Sequence, residues 1–294
     1  MDVGVALPTM APDYGRATTL EWARRIDAGP FSSISCGERI TFRNQEMMVL
    51  NAAAAALTER VRIFVNLVVL PFHPIPVIAK QLATLDVLSG GRVTVGVGVG
   101  GREHDYRAAG STFERRHARL DEGVAELRRL WSGGAPFDGG DPVGPVPVQH
   151  GGPPILAGAM GPKALARAAA WADGISGFAL TADDDEMAAA VTAAHEAWDA
   201  AGRSEPPRVI SGCFAVLGTG DDQGVLQAFT YDYLAIFGVG LARTLADDAP
   251  VWNVDRLRRA LDAAAAAGVD EFILVPGTTD PACADAFAEV VNSQ

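Results

Sequence analysis

The sequence predicts an α/β protein, a (β/α)8 TIM barrel, and three observations carry that prediction. Residues 61–101 read as strand, helix and strand, and both strands are apolar and β-branched without polar alternation. Strands apolar on both faces belong to a parallel sheet covered by helices. Eight such strand candidates alternate with helices along the chain, the pattern of a βα-repeat fold. The chain is 294 residues long and has no low-complexity linker, so residues 1–294 read as one domain, with a Gly/Pro-rich insertion at about 133–153.

The elements follow in order. Residues 3–7 form the first strand, ended by Pro8, and Leu20, Ala23 and Ile26 mark the first helix. Residues 31–36 are the second strand, and residues 47–60 an alanine-rich helix suited to close helix contact, within the fold or with a partner subunit. Residues 61–70, 76–88 and 92–99 supply strand three, its helix and strand four. Ser111 and Glu114 have capping-box spacing ahead of a helix with Leu120, Val124, Leu127 and Trp131 on one face. The excursion at 133–154 is too long for an ordinary connection and reads as an inserted loop or short hairpin. Strand five is 154–158, and Pro162 fits the first position of the next helix. Strand six is 175–178, and Thr181 caps a helix to about residue 201. Strand seven is 208–217, helices follow at 221–237 and 255–267, and strand eight is 271–276. Asp280 and Pro281 start the last helix as cap and first turn.

Composition excludes several functions. A net charge of −12 argues against a nucleic-acid partner, which needs a basic face. No apolar run reaches the roughly 20 residues of a membrane span, and residues 1–8 lack the basic region of a signal peptide, so a cytoplasmic location is expected. Cys36, Cys213 and Cys283 are few, odd in number and far apart, which gives neither a disulfide framework nor a zinc knuckle. The histidines show no metal spacing, so no metal is expected.

Two stretches carry candidate chemistry. Gly96, Gly98 and Gly101 match G-x-G-x-x-G literally. A dinucleotide fingerprint needs a helix at once and an acid after the next strand. The alternatives are glycines that let a strand backbone approach a flat ligand, or a tight barrel turn with no ligand. Residues 156–163 end a strand in small residues and open a helix, where unpaired N–H groups and the helix dipole favour phosphate; an ordinary turn is the alternative. His73 and His104 follow strands three and four, at the end where a barrel keeps its site, and His104 is the stronger candidate to face a ligand. His117 and His195, inside helices, read as surface residues.

The ordered set His73-Pro74, Thr84 to Arg92, Gly96 to Gly100, Arg119 to Glu122, Pro153 to Leu156, Gly161-Pro162 and Ala172 to Gly174 resembles the luciferase-like flavin- and deazaflavin-dependent oxidoreductases. The resemblance covers most of the chain and is strongest between residues 60 and 180. It implies a barrel with an insertion and a cofactor, coenzyme F420 or alternatively FMN, across the C-terminal strand ends. It implies a non-proline cis peptide at the end of strand three, matched to Leu67–Val68. Val99, Gly100 and His104 would lie beside the cofactor, and Ala157, Gly158, Ala159, Met160 and Gly161 would hold its phosphate. A homodimer and a small-molecule substrate are also implied. The sugar-phosphate dehydrogenases of the family carry an Asp-His pair where this chain has Glu38-Arg39, and a glutamate where it has Gly101. Glu38, Arg39 and His104 are therefore only candidate catalytic residues. The expected function is F420-dependent hydride transfer, with FMN-dependent monooxygenation or non-catalytic cofactor binding as alternatives.

Overall fold

The computed structural model describes Met1–Gln294. Strands β1 (Asp2–Ala6), β2 (Ser33–Cys36), β3 (Arg62–Val69), β4 (Val93–Gly98), β5 (Ile155–Ala157), β6 (Gly174–Ser176), β7 (Arg208–Ala215) and β8 (Glu271–Pro276) form a closed parallel barrel in sequence order. Closure pairs Asp2 with Glu271 and Val5 with Leu274. Around the ring lie α1 (Arg16–Ala28), α2 (Met47–Leu57), α3 (Ile75–Ser89), α4 (Glu103–Ala108), α5 (Arg116–Trp131), α6 (Pro162–Ala168), α7 (Asp184–Ala200), α8 (Asp222–Leu234), α9 (Val239–Asp247), α10 (Val254–Ala267) and α11 (Ala282–Asn292). No helix is long and apolar enough to cross a membrane.

Side chains alternate along each strand, and the closed ring turns that alternation into an inside and an outside. Outward residues such as Val5, Ile63, Val65, Val95 and Val97 join the large core under the helices. Inward residues Ala6, Phe64, Leu156, Ile210 and Ile273 pack on one another as a separate plug. Below the plug, Glu271 is 2% exposed and accepts hydrogen bonds from Ser32 Oγ at 2.7 Å, Ser33 Oγ and Arg208 Nη2 at 2.8 Å. The three cysteines are free and buried, and burial pushes the Cys36 and Cys283 thiols up to about 12, so they stay protonated.

The structure departs from the sequence reading in local detail. The excursion after α5 is neither helix nor hairpin. Its Gln149 donates to both Asp86 carboxylate oxygens and to the Val93 carbonyl, and Lys80 Nζ donates to the Gly144 carbonyl. These bonds hold it against α3 and the start of β4, away from the C-terminal strand ends. The Ser111–Glu114 capping box does not form, because Ser111 Oγ accepts from Arg119 and Thr112 Oγ1 accepts from the Glu114 N–H. Asp183, not Thr181, caps α7 by accepting the Glu186 N–H at 2.9 Å; the Thr181 hydroxyl instead donates to the Glu186 carboxylate. Helices α4 and α9 are short additions that hydrophobic periodicity did not signal.

Asp27 ties the end of α1 to the turn before β3. Its carboxylate accepts the N–H groups of Glu59, Arg60 and Val61 at 2.9–3.0 Å. Burial acts to raise its pKa, but the three amides and the Arg60 charge hold it below the usual carboxylate range. A depressed folded pKa means stability present above the ordinary carboxylate value and lost as pH falls through the folded one. Asp27→Asn should therefore cost about 1 kcal/mol at neutral pH, with the deficit closing in acid. Denaturant unfolding across acid to neutral pH checks this; a pH-independent deficit would contradict it.

Candidate functional site

A cavity of about 680 Å³ opens at the C-terminal ends of the strands, within the range of about 300–1,000 Å³ of ligand pockets. It exists because the inward positions one step above the plug are mostly small. Ser35, Gly98, Gly158 and Ser176 line it where larger residues would fill it. The pairing of β3 with β4 shifts register between Val65 and Val68, so the consecutive residues Asn66 and Leu67 both face the cavity. The Asn66–Leu67 peptide is cis, one residue before the expected Leu67–Val68. Asn66 Oδ1 accepts from Ser176 Oγ at 2.9 Å across the barrel mouth.

Three glycines are fitted to this strand end. A Cβ on Gly158 would sit 2.4 Å from Leu67 Cδ2, and one on Gly37 would sit 2.6 Å from the Asn66 carbonyl oxygen. A Cβ on Gly100, whose φ is +61°, would meet Val69 Cγ1 at 2.8 Å. The three glycines thus let Leu67, the Asn66 carbonyl and Val69 pack close against the neighbouring strand ends.

Charged groups surround this surface, and most are already paired. The Glu38 side chain, 4% exposed, accepts the Val69 N–H at 2.8 Å and pairs with His73 Nε2 at 2.9 Å. The Arg39 guanidinium lies 3.7 Å from the Phe42 ring centre and 4.7 Å from that of Tyr233. Asp105 accepts from the Thr41 N–H and hydroxyl and from Arg102 Nε, which joins α4 to the loop after β2. Tyr106 donates to the Val99 carbonyl, and burial pushes its phenol up to about 12. His117, on the first turn of α5, lines the rim beside Ala164 of α6. Partial burial and the nearby Arg116 and Arg167 lower its pKa, against the opposing pull of Asp121. No group of three or more His, Cys, Asp or Glu side chains could hold a metal ion.

A cavity of this size, ringed by small residues at the strand ends of a closed parallel barrel, has room for a flat ligand. The model of the luciferase-like monooxygenases matches residues 1–294. The chain belongs to the luciferase-like monooxygenase family. An uncharacterized protein of Mycobacterium tuberculosis is 34% identical over 181 residues, 58% of this chain and 61% of the relative. An F420-dependent glucose-6-phosphate dehydrogenase of Nocardia farcinica is 35% identical over 155 residues, 48% of this chain and 46% of the relative. The chain thus spans less than two thirds of the length of these curated relatives. Monooxygenase RslO1 from Streptomyces bottropensis superposes with a TM-score of 0.79 at 24% identity, covering 100% of this chain and 99% of its own. An F420-dependent secondary alcohol dehydrogenase gives 0.78 at 18%, with 100% and 99% covered. At these identities the likeness of the structures is one of fold.

Within this luciferase-like barrel the residues singled out from the sequence separate into two groups. Glu38, Arg39, Leu67, Val99, Gly100, Gly158 and Met160 line the cavity. Val68, Ala157 and Ala159 instead point into the core under the helices, by strand alternation. Gly161 is exposed ahead of α6, outside the lining. His104 is also exposed and outside it. Helix α4 turns Asp105 and Tyr106 inward, and the rotation of about 100° per residue carries His104 outward. His117, read as a surface residue, is exposed but at the rim. Sequence reasoning missed Arg102, Asp105, Ser176, Phe214 and Tyr233. For Tyr233 a signal existed, since Leu226, Phe229 and Tyr233 share a face of the predicted helix.

Glu38 accepts from the Val69 N–H and pairs with the His73 ring. Glu38→Ala should leave the Val69 N–H and His73 unpaired and cost about 2 kcal/mol, whereas Glu38→Gln, which keeps an acceptor oxygen, should cost less. Thermal melts of both variants test the ranking; equal losses would contradict it.

Proposed function

We propose that this chain is an F420-dependent oxidoreductase that transfers a hydride to or from an organic substrate. The observation that carries the reading is the cavity at the C-terminal ends of β4 and β5, beside the basic first turns of α5 and α6. F420 has a polyanionic side chain, and Arg116, His117 and Lys163 lie on the first turns of those two helices, with Arg167 on the last turn of α6. Lys163 has no carboxylate partner, while Arg167 pairs with Asp121. The relative from Nocardia farcinica named for F420 dependence supports the same choice.

The residues fit such a group. Gly98, Gly100 and Gly158 let Leu67 and Val69 pack close against the strand ends, and the cavity beside them, lined also by Asn66, has room for a planar ring. When bound, the deazaflavin supplies hydride chemistry, whereas FMN would supply oxygen activation. The protein's part is to orient the ring, exclude water and place polar groups around the acceptor. Glu38, held by Val69 and His73, fixes the end of β3 behind the ring. The Asp-His pair of the sugar-phosphate enzymes is absent, which argues for a different substrate.

Calorimetric titration separates the cofactors. F420 should bind at least about tenfold tighter than FMN, a difference of about 1.4 kcal/mol, and the affinity should weaken with salt. FMN binding equal to or tighter than F420 would overturn this reading in favour of a flavin monooxygenase. We also propose a homodimer through α2 and α3, where Val49, Val77, Val87 and Leu88 are exposed. Light scattering should give twice the 30.7 kDa chain mass; a monomer at working concentration would contradict it.

A further inference from the structure

The cavity has a second side, unlike the glycine side. Phe178, Phe214, Phe229, Tyr233, Leu234 and Phe237 line it from the loop after β6, from β7 and from α8 with the turn that follows. The rings are locked together. Phe214 meets Phe229 at 5.2 Å and 86°, Tyr233 at 5.4 Å and 73°, and Phe178 at 4.7 Å. Arg39 holds the far side of Tyr233, over its ring and through a 3.3 Å bond to its carbonyl.

The Tyr233 hydroxyl is the unpaired polar group on this wall. Tyr14 accepts from Thr19 Oγ1 and Tyr106 donates to Val99 O, but the Tyr233 hydroxyl has no hydrogen bond within the chain. It is not sealed from solvent, and Tyr233 is one of the residues lining the cavity. Burial raises its pKa, with Arg102 and Asp105 acting in opposite directions, so it remains a neutral donor. Arg39 lies over two rings without a carboxylate partner, and Arg102 bonds Asp105 and Thr41. A wall of this kind receives a molecule with a large apolar face.

We propose that this aromatic wall is the substrate subsite, and that it takes a flat, multi-ring molecule whose carbonyl or hydroxyl oxygen accepts a hydrogen bond from Tyr233. The proposal rests on reading the glycine side of the same cavity as the cofactor side, and the two are tested separately.

The probes are 2-acetylnaphthalene and 2-ethylnaphthalene, which share a ring system and differ in the acceptor oxygen. Their binding is measured by calorimetry on the purified chain, with and without saturating F420. The ketone should bind about fivefold tighter than the hydrocarbon. Tyr233→Phe should abolish that preference and leave the hydrocarbon affinity unchanged, which also reports that the wall is intact. Phe237→Ala, at a half-exposed rim position, should weaken both probes about threefold. Failure of both probes to bind, or a ketone preference that survives Tyr233→Phe, would overturn the subsite. Titration with F420 on the same samples separates the two readings. F420 binding without the ketone preference overturns the subsite alone. Tyrosine-dependent ketone binding without F420 binding supports the subsite and overturns the cofactor reading.

Discussion

The cavity depends on one constraint: in a closed parallel ring, every second residue of each strand must point to a shared interior. The plug of Phe64, Leu156, Ile210 and Ile273 fills that interior at mid-height. Higher on the same parity come Asn66, Gly158 and Val275, with Phe214 paired beside Val275. Where those residues are small, volume is left over, and where they are large, a wall forms. The shape of the site is thus a consequence of side-chain size at one level of the barrel.

The two sides of the cavity are held by different forces. On the glycine side, Leu67 packs where Gly98 and Gly158 have no side chain, and Glu38 fixes the strand end through Val69 and His73. On the opposite side, edge-to-face rings and one stacked guanidinium set the wall without a salt bridge. Thr41, Asp105 and Arg102 connect the loop after β2 to α4, so that both sides are referred to the same frame. Rigid support of this kind gives a bound ring and its reaction partner a fixed relative position.

Much of this was legible in the sequence. All eight strands fall within two or three residues of the expected positions, because buried parallel strands are continuous β-branched runs. The glycines of β4 read in the sequence as a backbone that a flat ligand can approach, or as a tight turn, and the small residues after β5 as a turn suited to phosphate. Individual side-chain directions were less legible. Val68 and Leu67 are equally apolar, and only the register shift against β4 sends Leu67 inward. His104 drew attention by its chemistry, but the short helix α4 turns it to solvent and brings in Asp105 and Tyr106. Tyr233 lies nearly two hundred positions from Arg39, so their stacking has no local trace.

The sequence by itself determined the barrel and the family, since period, length and the order of the motifs are properties of the linear chain. Which face of each strand looks inward was decided only by closure. A strand apolar on both sides contains no mark of its own inside, and the partner strands supply it. The aromatic subsite, the Glu38–His73 pair and the position of Tyr233 all follow from that choice, because each joins residues distant in the chain.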